Sequence, residues 1–196
     1  MASGVLYITY TGLLEPLGQS QVLAYQERLA ADRPVHILSF ERPADLADTA
    51  KLARVRERVA AAGIHWRQCV YHRRPSALAT LWDIAVGSWA GVRLARQHGL
   101  GIVHARSYVA SVMALAVRRA IGARFLFDMR GFWADERVDG GLWLRGGRMY
   151  RLAKRFERHF LQTADHVVSL TQAGVDEMQR FDYLQARRPP MTVIPT

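Results

Sequence analysis

The chain has 196 residues, 50% of them hydrophobic, and 27 Lys and Arg against 17 Asp and Glu give it a net charge of +10. That is an ordinary globular composition, long enough for one domain or one large half of a two-domain enzyme, and its charge favours anionic partners: phosphorylated substrates, nucleic acid or an acidic membrane surface. A single cysteine, Cys69, excludes an internal disulfide and any multi-cysteine metal site, and it points to a reducing compartment.

Residues 5–10 (VLYITY) form a continuous apolar, β-branched run, too short and too bare of flanking cations for a secretory signal. A loop with Gly12, Pro16 and Gly18 follows, then a helical segment bearing Val22, Tyr25 and Leu29 on one face. Residues 35–40 (VHILSF) read as the next strand, and Leu52, Val55, Val59 and Ala62 as one stripe of a helix whose outer face carries Lys51, Arg54 and Arg58. A third strand is expected over residues 64–71 and a largely buried helix over 77–97, which Asp83 interrupts and which falls short of the roughly 20 apolar residues of a membrane span. Gly99 and Gly101 end it.

The fourth strand covers residues 102–105, and its helix carries Val109, Val112, Met113, Ala116 and Ala120 before Gly122 stops it. Residues 124–129 form a fifth strand that opens into a long loop, 130–147, holding Arg130, Asp135, Glu136, Arg137 and Asp139 among glycines. A basic amphipathic helix over residues 145–160 should bury Met149, Leu152, Phe156 and Phe160 and turn Arg148, Arg151, Arg155 and Arg158 outward. Residues 166–170 give a sixth strand, Thr171 caps a helix through Val175, Met178 and Phe181, and residues 192–195 are extended. Strands alternating with helices in this way predict a doubly wound, mainly parallel sheet of about seven strands with helices on both faces.

Ligands of such folds bind beyond the carboxyl ends of the strands, which brings loops 11–20, 106–108 and 130–147 to one cleft. Gly18 with Gln19 and Ser20 at a helix start suits a phosphate or sugar approaching the main chain, or else simply a tight turn. His104 either moves a proton of a bound hydroxyl or is hydrogen-bonded at its strand end, while Arg106 suits a phosphate or carboxylate. The loop acids with Arg130 and Arg137 fit carbohydrate hydroxyls and anions, or an internal ion-pair network; Asp128 and Arg130, at the strand end, take function first. The cations of the basic helix fit either a solvated face or anionic lipid. No dinucleotide fingerprint, nucleophile elbow or metal-ligand spacing occurs, so no metal and no cofactor is expected, and the basic helix lacks the interleaved aromatics of a nucleic-acid platform.

The stretches VLYITY, LLEPLGQSQVL, IVHARSY, FLFDMRGFWADERVDGGLW, ADHVVSLTQAG and VIPT, taken in order, resemble the N-terminal half of retaining glycosyltransferases of family 4. PLGQSQ and FDMRGFWADERVDGG are the specific ones, and they are similar to a bacterial subgroup associated with exopolysaccharide or other cell-surface glycans. The resemblance implies one Rossmann-like, acceptor-side domain over residues 1–196 of a GT-B enzyme, with the nucleotide-sugar domain absent. The whole enzyme would be a hexosyltransferase moving a sugar from a nucleotide donor to a carbohydrate or lipid-linked acceptor with retention, without nucleic acid. It would act in the cytoplasm or on the cytoplasmic membrane face, and the domain alone would be inactive. Gly12, Gly18, Gln19 and Ser20 would approach the donor, Leu17 standing where many members have a second glycine. Asp128 would sit beside the reacting sugar, where many relatives have a histidine, and His104, Arg106, Arg130, Asp135, Glu136 and Arg137 would face the acceptor. No two glutamates are eight apart, so the donor-binding glutamate pair of the family's other half does not occur. The alternative is a free-standing Rossmann-like module for a nucleotide or phosphorylated ligand.

Overall fold

The computed structural model describes residues 3–195. Seven strands, β1 (Gly4–Thr9), β2 (Val35–Glu41), β3 (His65–Val70), β4 (Leu100–Arg106), β5 (Arg124–Met129), β6 (His166–Ser169) and β7 (Met191–Val193), form one sheet. Their order is β3-β2-β1-β4-β5-β6-β7 and every neighbouring pair is parallel, as the alternation of strands and helices requires. The break in strand order falls between β1 and β4, so the loops leaving those two strands flank the crevice where such sheets bind ligands.

The helices are α1 (Ala24–Ala30), α2 (Pro43–Ala47), α3 (Thr49–Ala61), α4 (Ser76–His98), α5 (Ser107–Ile121), α6 (Trp133–Asp139), α7 (Arg148–Thr163) and α8 (Gln172–Gln179), with a π-helical turn, Gly18–Leu23, leading into α1. Tyr7, Val35 and Ile37 of the sheet pack on Val22, Leu23, Val55 and Val59 to close one face. Leu6, Ile8, Val103, Phe125 and Phe127 meet Met113, Val117, Phe160, Val175 and Met178 on the other. Two helices end where a left-handed glycine was expected, Gly99 (φ 61°) after α4 and Gly122 (φ 70°) after α5. Thr171 caps α8 by accepting from Gly174 N at 3.1 Å.

Three expectations are corrected. The stretch 130–147 is no plain loop: Ala134, Glu136 and Arg137 propagate α6 for seven residues before Gly140 ends it. The long helix α4 buries only its small side, Ala79, Gly87, Ala90, Gly91 and Ala95 together with Asp83, and leaves Leu78, Trp82 and Trp89 about 60% exposed or more. A Cβ on Gly87 would lie 2.5 Å from Met113 Sδ, so close approach to α5, not bulk, sets the buried face. Finally, α7 starts at Arg148, and it buries Ala153, Glu157, Phe160 and Leu161. Met149, Leu152 and Phe156 are exposed among the arginines, because the helix turns the ion-paired Glu157 inward toward Tyr108 and Lys154.

Candidate functional site

The loop after β1 folds around a carboxylate from β2. Glu41 is fully buried; it accepts from Leu13 N at 2.8 Å, Leu14 N at 3.0 Å and Ser39 Oγ at 2.5 Å, and Ser39 in turn accepts from Trp66 Nε1 at 2.7 Å. Burial pushes the Glu41 carboxyl above its ordinary value, and the hydrogen bonds from Ser39, Leu14 and Leu13 pull against that. The two glycines of the loop serve this packing. A Cβ on Gly12 would come within 2.4 Å of Glu41 Oε2, and one on Gly18 within 2.0 Å of the Gly12 carbonyl oxygen. Gln19 N donates to Glu15 O at 3.0 Å, Gln19 Nε2 reaches Leu14 O at 3.4 Å, and Ser20 Oγ donates to Pro16 O at 3.0 Å. The anion that the glycine loop attracts is thus the protein's own, and the next residue, Gln21, is the one that faces the sheet's edge.

Register then assembles the polar cluster. Tyr7 pairs with His104, Thr9 with Arg106, and Arg106 with Asp128, so the side chains of these partners share one face of the sheet. Arg106 and Asp128 are 6% and 5% exposed. Asp128 lies 3.8 Å from His104 Nε2 and 3.6 Å from Arg130 Nη1, and the Tyr7 ring meets His104 edge-on with centroids 4.6 Å apart. Gln21 Oε1 accepts from Arg106 Nη2 at 2.9 Å and from Arg130 Nη2 at 3.0 Å, tying the loop to both strand ends. Burial alone would raise the pKa of Asp128, but His104, Arg130 and Arg106 outweigh it and hold the carboxyl below its ordinary value. Burial lowers the pKa of Arg130, aided by the charge of Arg106 and opposed by Asp128. Burial and the charge of Asp128 raise that of Tyr7, which stays a phenol.

Two clefts adjoin the cluster. One of about 400 Å³ is lined by Tyr10, Tyr71, Arg106, Ser107, Trp133 and Arg137 among others, with the Arg137 guanidinium 5.4 Å over the Trp133 ring. The other, about 350 Å³, lies between residues 129–132 and the turn from Ser169 to Gly174. Ser107, the first residue of α5, holds φ at +67°, a strained value for a residue with a side chain. Asp83 of α4, fully buried, accepts from Tyr10 Oη at 2.8 Å and His72 N at 3.0 Å, bracing the first cleft's aromatic wall.

Of the residues singled out from sequence, Asp128, His104, Arg106 and Arg130 come together, and Arg137 lines the neighbouring cleft. Asp135 instead accepts from Tyr150 at 3.0 Å and Lys154 at 3.1 Å, and Glu136 folds back against Gly131. Asp135 belongs to the ion-pair network that fastens α6 to α7. Glu41, Gln21 and the buried Tyr108–Glu157–Lys154 chain were not singled out, although the first ends a strand and the second lies within the same GQSQ stretch as Gly18. Among the described residues no group of three His, Cys, Asp or Glu side chains is placed to hold a metal ion. Among the described residues no helix is long and apolar enough to cross a membrane. On the outer face of α7, Arg148, Arg151, Arg155 and Arg158 stand with Met149, Leu152 and Phe156, beside a groove of about 780 Å³.

The sequence profile described as glycosyl transferase 4-like domain matches residues 18–196. No curated protein sequence matches. Among solved structures, Phytolacca americana UGT2 complexed with UDP-2-fluoro-glucose and pterostilbene superposes with a TM-score of 0.65 at 10% identity, over 100% of this chain and 54% of that one. Acinetobacter baumannii MurG gives 0.55 at 15% identity over 100% and 47%. Anabaena Alr3699/HepE in complex with UDP and glucose gives 0.59 at 11% identity over 99% and 44%. The chain spans about half the length of the structures it matches.

Proposed function

We propose, from the premise that this chain belongs to the glycosyl transferase 4-like domain family, that it is the acceptor-side half of a GT-B glycosyltransferase. The complete enzyme moves a hexose from a nucleotide-sugar donor to a carbohydrate or lipid-linked acceptor with retention of configuration, and a second α/β domain holds the nucleotide. The observation that carries this reading is a carboxylate kept charged inside a cluster of cations at the switch point of the sheet, beside an aromatic cleft.

Each part of that arrangement suits sugar transfer. Asp128 stays an anion at neutral pH and can accept from a sugar hydroxyl, or face the positive charge that develops at an anomeric carbon as the leaving group departs. His104, Arg106 and Arg130 fix its orientation and set its charge. Tyr10, Tyr71 and Trp133 offer apolar faces to a sugar ring, and Arg137 offers a donor beside them. The outer face of α7 mixes exposed arginines with Met149, Leu152 and Phe156, the composition of a segment that rests on acidic lipid. That supports a place on the cytoplasmic membrane face and an acceptor used in exopolysaccharide or other surface-glycan assembly.

The test is sugar transfer from a panel of nucleotide sugars, measured on the 196-residue chain alone and on the chain joined to a nucleotide-binding partner domain. Transfer is expected only from the joined form, and Asp128→Asn should lower it by roughly 100-fold. Turnover by the chain alone would refute the division of labour. Tight nucleotide binding by the chain alone would favour a free-standing module instead.

A further inference from the structure

The outer side of α4 is apolar where a surface helix is normally polar. Its buried side carries Ala79, Asp83, Gly87, Ala90, Gly91 and Ala95, while Leu78, Leu81, Trp82 and Trp89 are each 60% exposed or more. Positions 78, 81, 82, 85 and 89 share one stripe over about three turns, the reverse of a helix that folds its apolar face onto its own core. A stripe with two exposed indoles marks a surface that meets a partner.

The charge around the stripe identifies that partner. Arg73 and Arg74 stand exposed just before the helix, and the Arg93 guanidinium lies 5.5 Å over the Trp89 ring. Arg67 and Arg93 line a niche of about 190 Å³ beside Trp89, with no acid among its lining residues. Between Glu57 and Asp128 the chain has a single acid, Asp83, and that one is buried, accepting from Tyr10 and His72. A second copy laid along the stripe, parallel or antiparallel, would set arginines against arginines with no carboxylate between them. An acidic bilayer instead offers apolar depth to leucine and indole, and phosphates to the flanking cations.

The stripe also borders the candidate site. Thr80, next to Leu81 in sequence, lines the cleft of about 400 Å³ together with Tyr10, Tyr71 and Trp133. On the same face of the sheet, with α5 between them, lies α7, whose outer side mixes arginines with Met149, Leu152 and Phe156.

We propose that the outer stripe of α4 docks on an acidic bilayer, with Trp82 and Trp89 entering at the level of the headgroups. The cleft then opens beside the membrane, and the acceptor is lipid-linked rather than a free carbohydrate. That choice of acceptor rests on the transferase reading; the docking surface rests on α4 alone.

The experiment uses the 196-residue chain, without donor or acceptor, and vesicles of phosphatidylglycerol and phosphatidylcholine brominated along the upper acyl chain. At high salt, where exposed charges are screened, the chain should still sediment with the vesicles, and part of its tryptophan fluorescence should be quenched. Trp82→Gln combined with Trp89→Gln should weaken that binding by roughly tenfold or more and remove the quenching, with the melting temperature unchanged because both rings are exposed. Leu29→Gln, an exposed position on α1, should change nothing. Absence of sedimentation would overturn the proposal, as would binding that the double variant leaves at its original strength, or bound chain whose fluorescence the bromines do not quench. So would a dimer in analytical ultracentrifugation that the double variant dissolves, which would assign the stripe to a second copy. Vesicle binding lost once a nucleotide-binding domain is joined would likewise overturn it and assign the stripe to that domain. Vesicle binding without sugar transfer by the joined form would leave the docking surface standing and remove the transferase reading, and transfer without vesicle binding would do the opposite.

Discussion

Replacing Glu41 with alanine should loosen the loop on which the site depends. The carboxylate satisfies two main-chain N–H groups, of Leu13 and Leu14, in a place where neither residue sees solvent. Each amide left without an acceptor costs about 1–3 kcal/mol, so the pair amounts to about 2–6 kcal/mol, a large share of the stability of many domains. Urea unfolding followed by tryptophan fluorescence should show a midpoint lower by about 1–3 M, for a slope of about 2 kcal/mol per molar. Glu41→Gln keeps one acceptor oxygen and should fall between. It should also change the pH dependence. Because the folded carboxyl titrates above its unfolded value, the folded state holds more protons between the two, and Glu41 makes stability decline as pH rises through that interval. The glutamine variant should lose that decline. A loss of stability below about 1 kcal/mol for Glu41→Ala would refute the claim that the carboxylate organises the loop.

Gly18→Ala should be severe, because its Cβ would meet the Gly12 carbonyl oxygen at 2.0 Å, whereas Gly141→Ala, with open space around it and φ of +69°, should cost only about 1–2 kcal/mol of backbone strain by the same unfolding measurement. Tyr108→Phe leaves the buried Glu157 carboxylate with Lys154 alone and should destabilise by about 1–3 kcal/mol; a neutral result would show that Lys154 suffices. Burial, with His98 and His65 beside it, lowers the pKa of His36 to about 4. Its folded pKa lies below the unfolded one, so stability should drop as pH falls from 6.5 toward 4, and His36→Gln should flatten that slope. Replacing Arg148, Arg151 and Arg155 together with glutamine should abolish salt-sensitive sedimentation with acidic vesicles; unchanged sedimentation would remove α7 from the membrane reading.

The sheet was legible because its strands are short apolar runs separated by helical stripes, a pattern that leaves a parallel order as the economical solution. The cluster at the edge was legible for the same reason: knowing that residues 102–105 and 124–129 are adjacent strands places Arg106 beside Asp128. Faces of helices were harder. In α7, Met149, Leu152 and Phe156 follow helical spacing yet lie outside, since the buried Glu157, which accepts from Tyr108 of α5 and pairs with Lys154 of its own helix, decides the inward face. In α4 the bulky residues mislead, because contact with α5 selects glycine and alanine. Glu41 was missed because nothing in a strand-ending glutamate marks which distant amides it will meet.

The fate of Glu41 also changes where an anion of the substrate can be held. A glycine loop before a helix invites a phosphate onto its amides, but here the N–H groups of Leu13, Leu14 and Gln19 already have acceptors within the chain. Expelling Glu41 would strip a fully buried carboxylate of its partners and reopen a loop that Gly12 and Gly18 close by direct backbone contact. Gln21 is different in kind: it is neutral and partly exposed, and its Oε1 accepts from Arg106 and Arg130, tying the loop to the ends of β4 and β5. Substitutions at Gly12 and Gly18 should therefore be felt first in unfolding rather than in the binding of an anion.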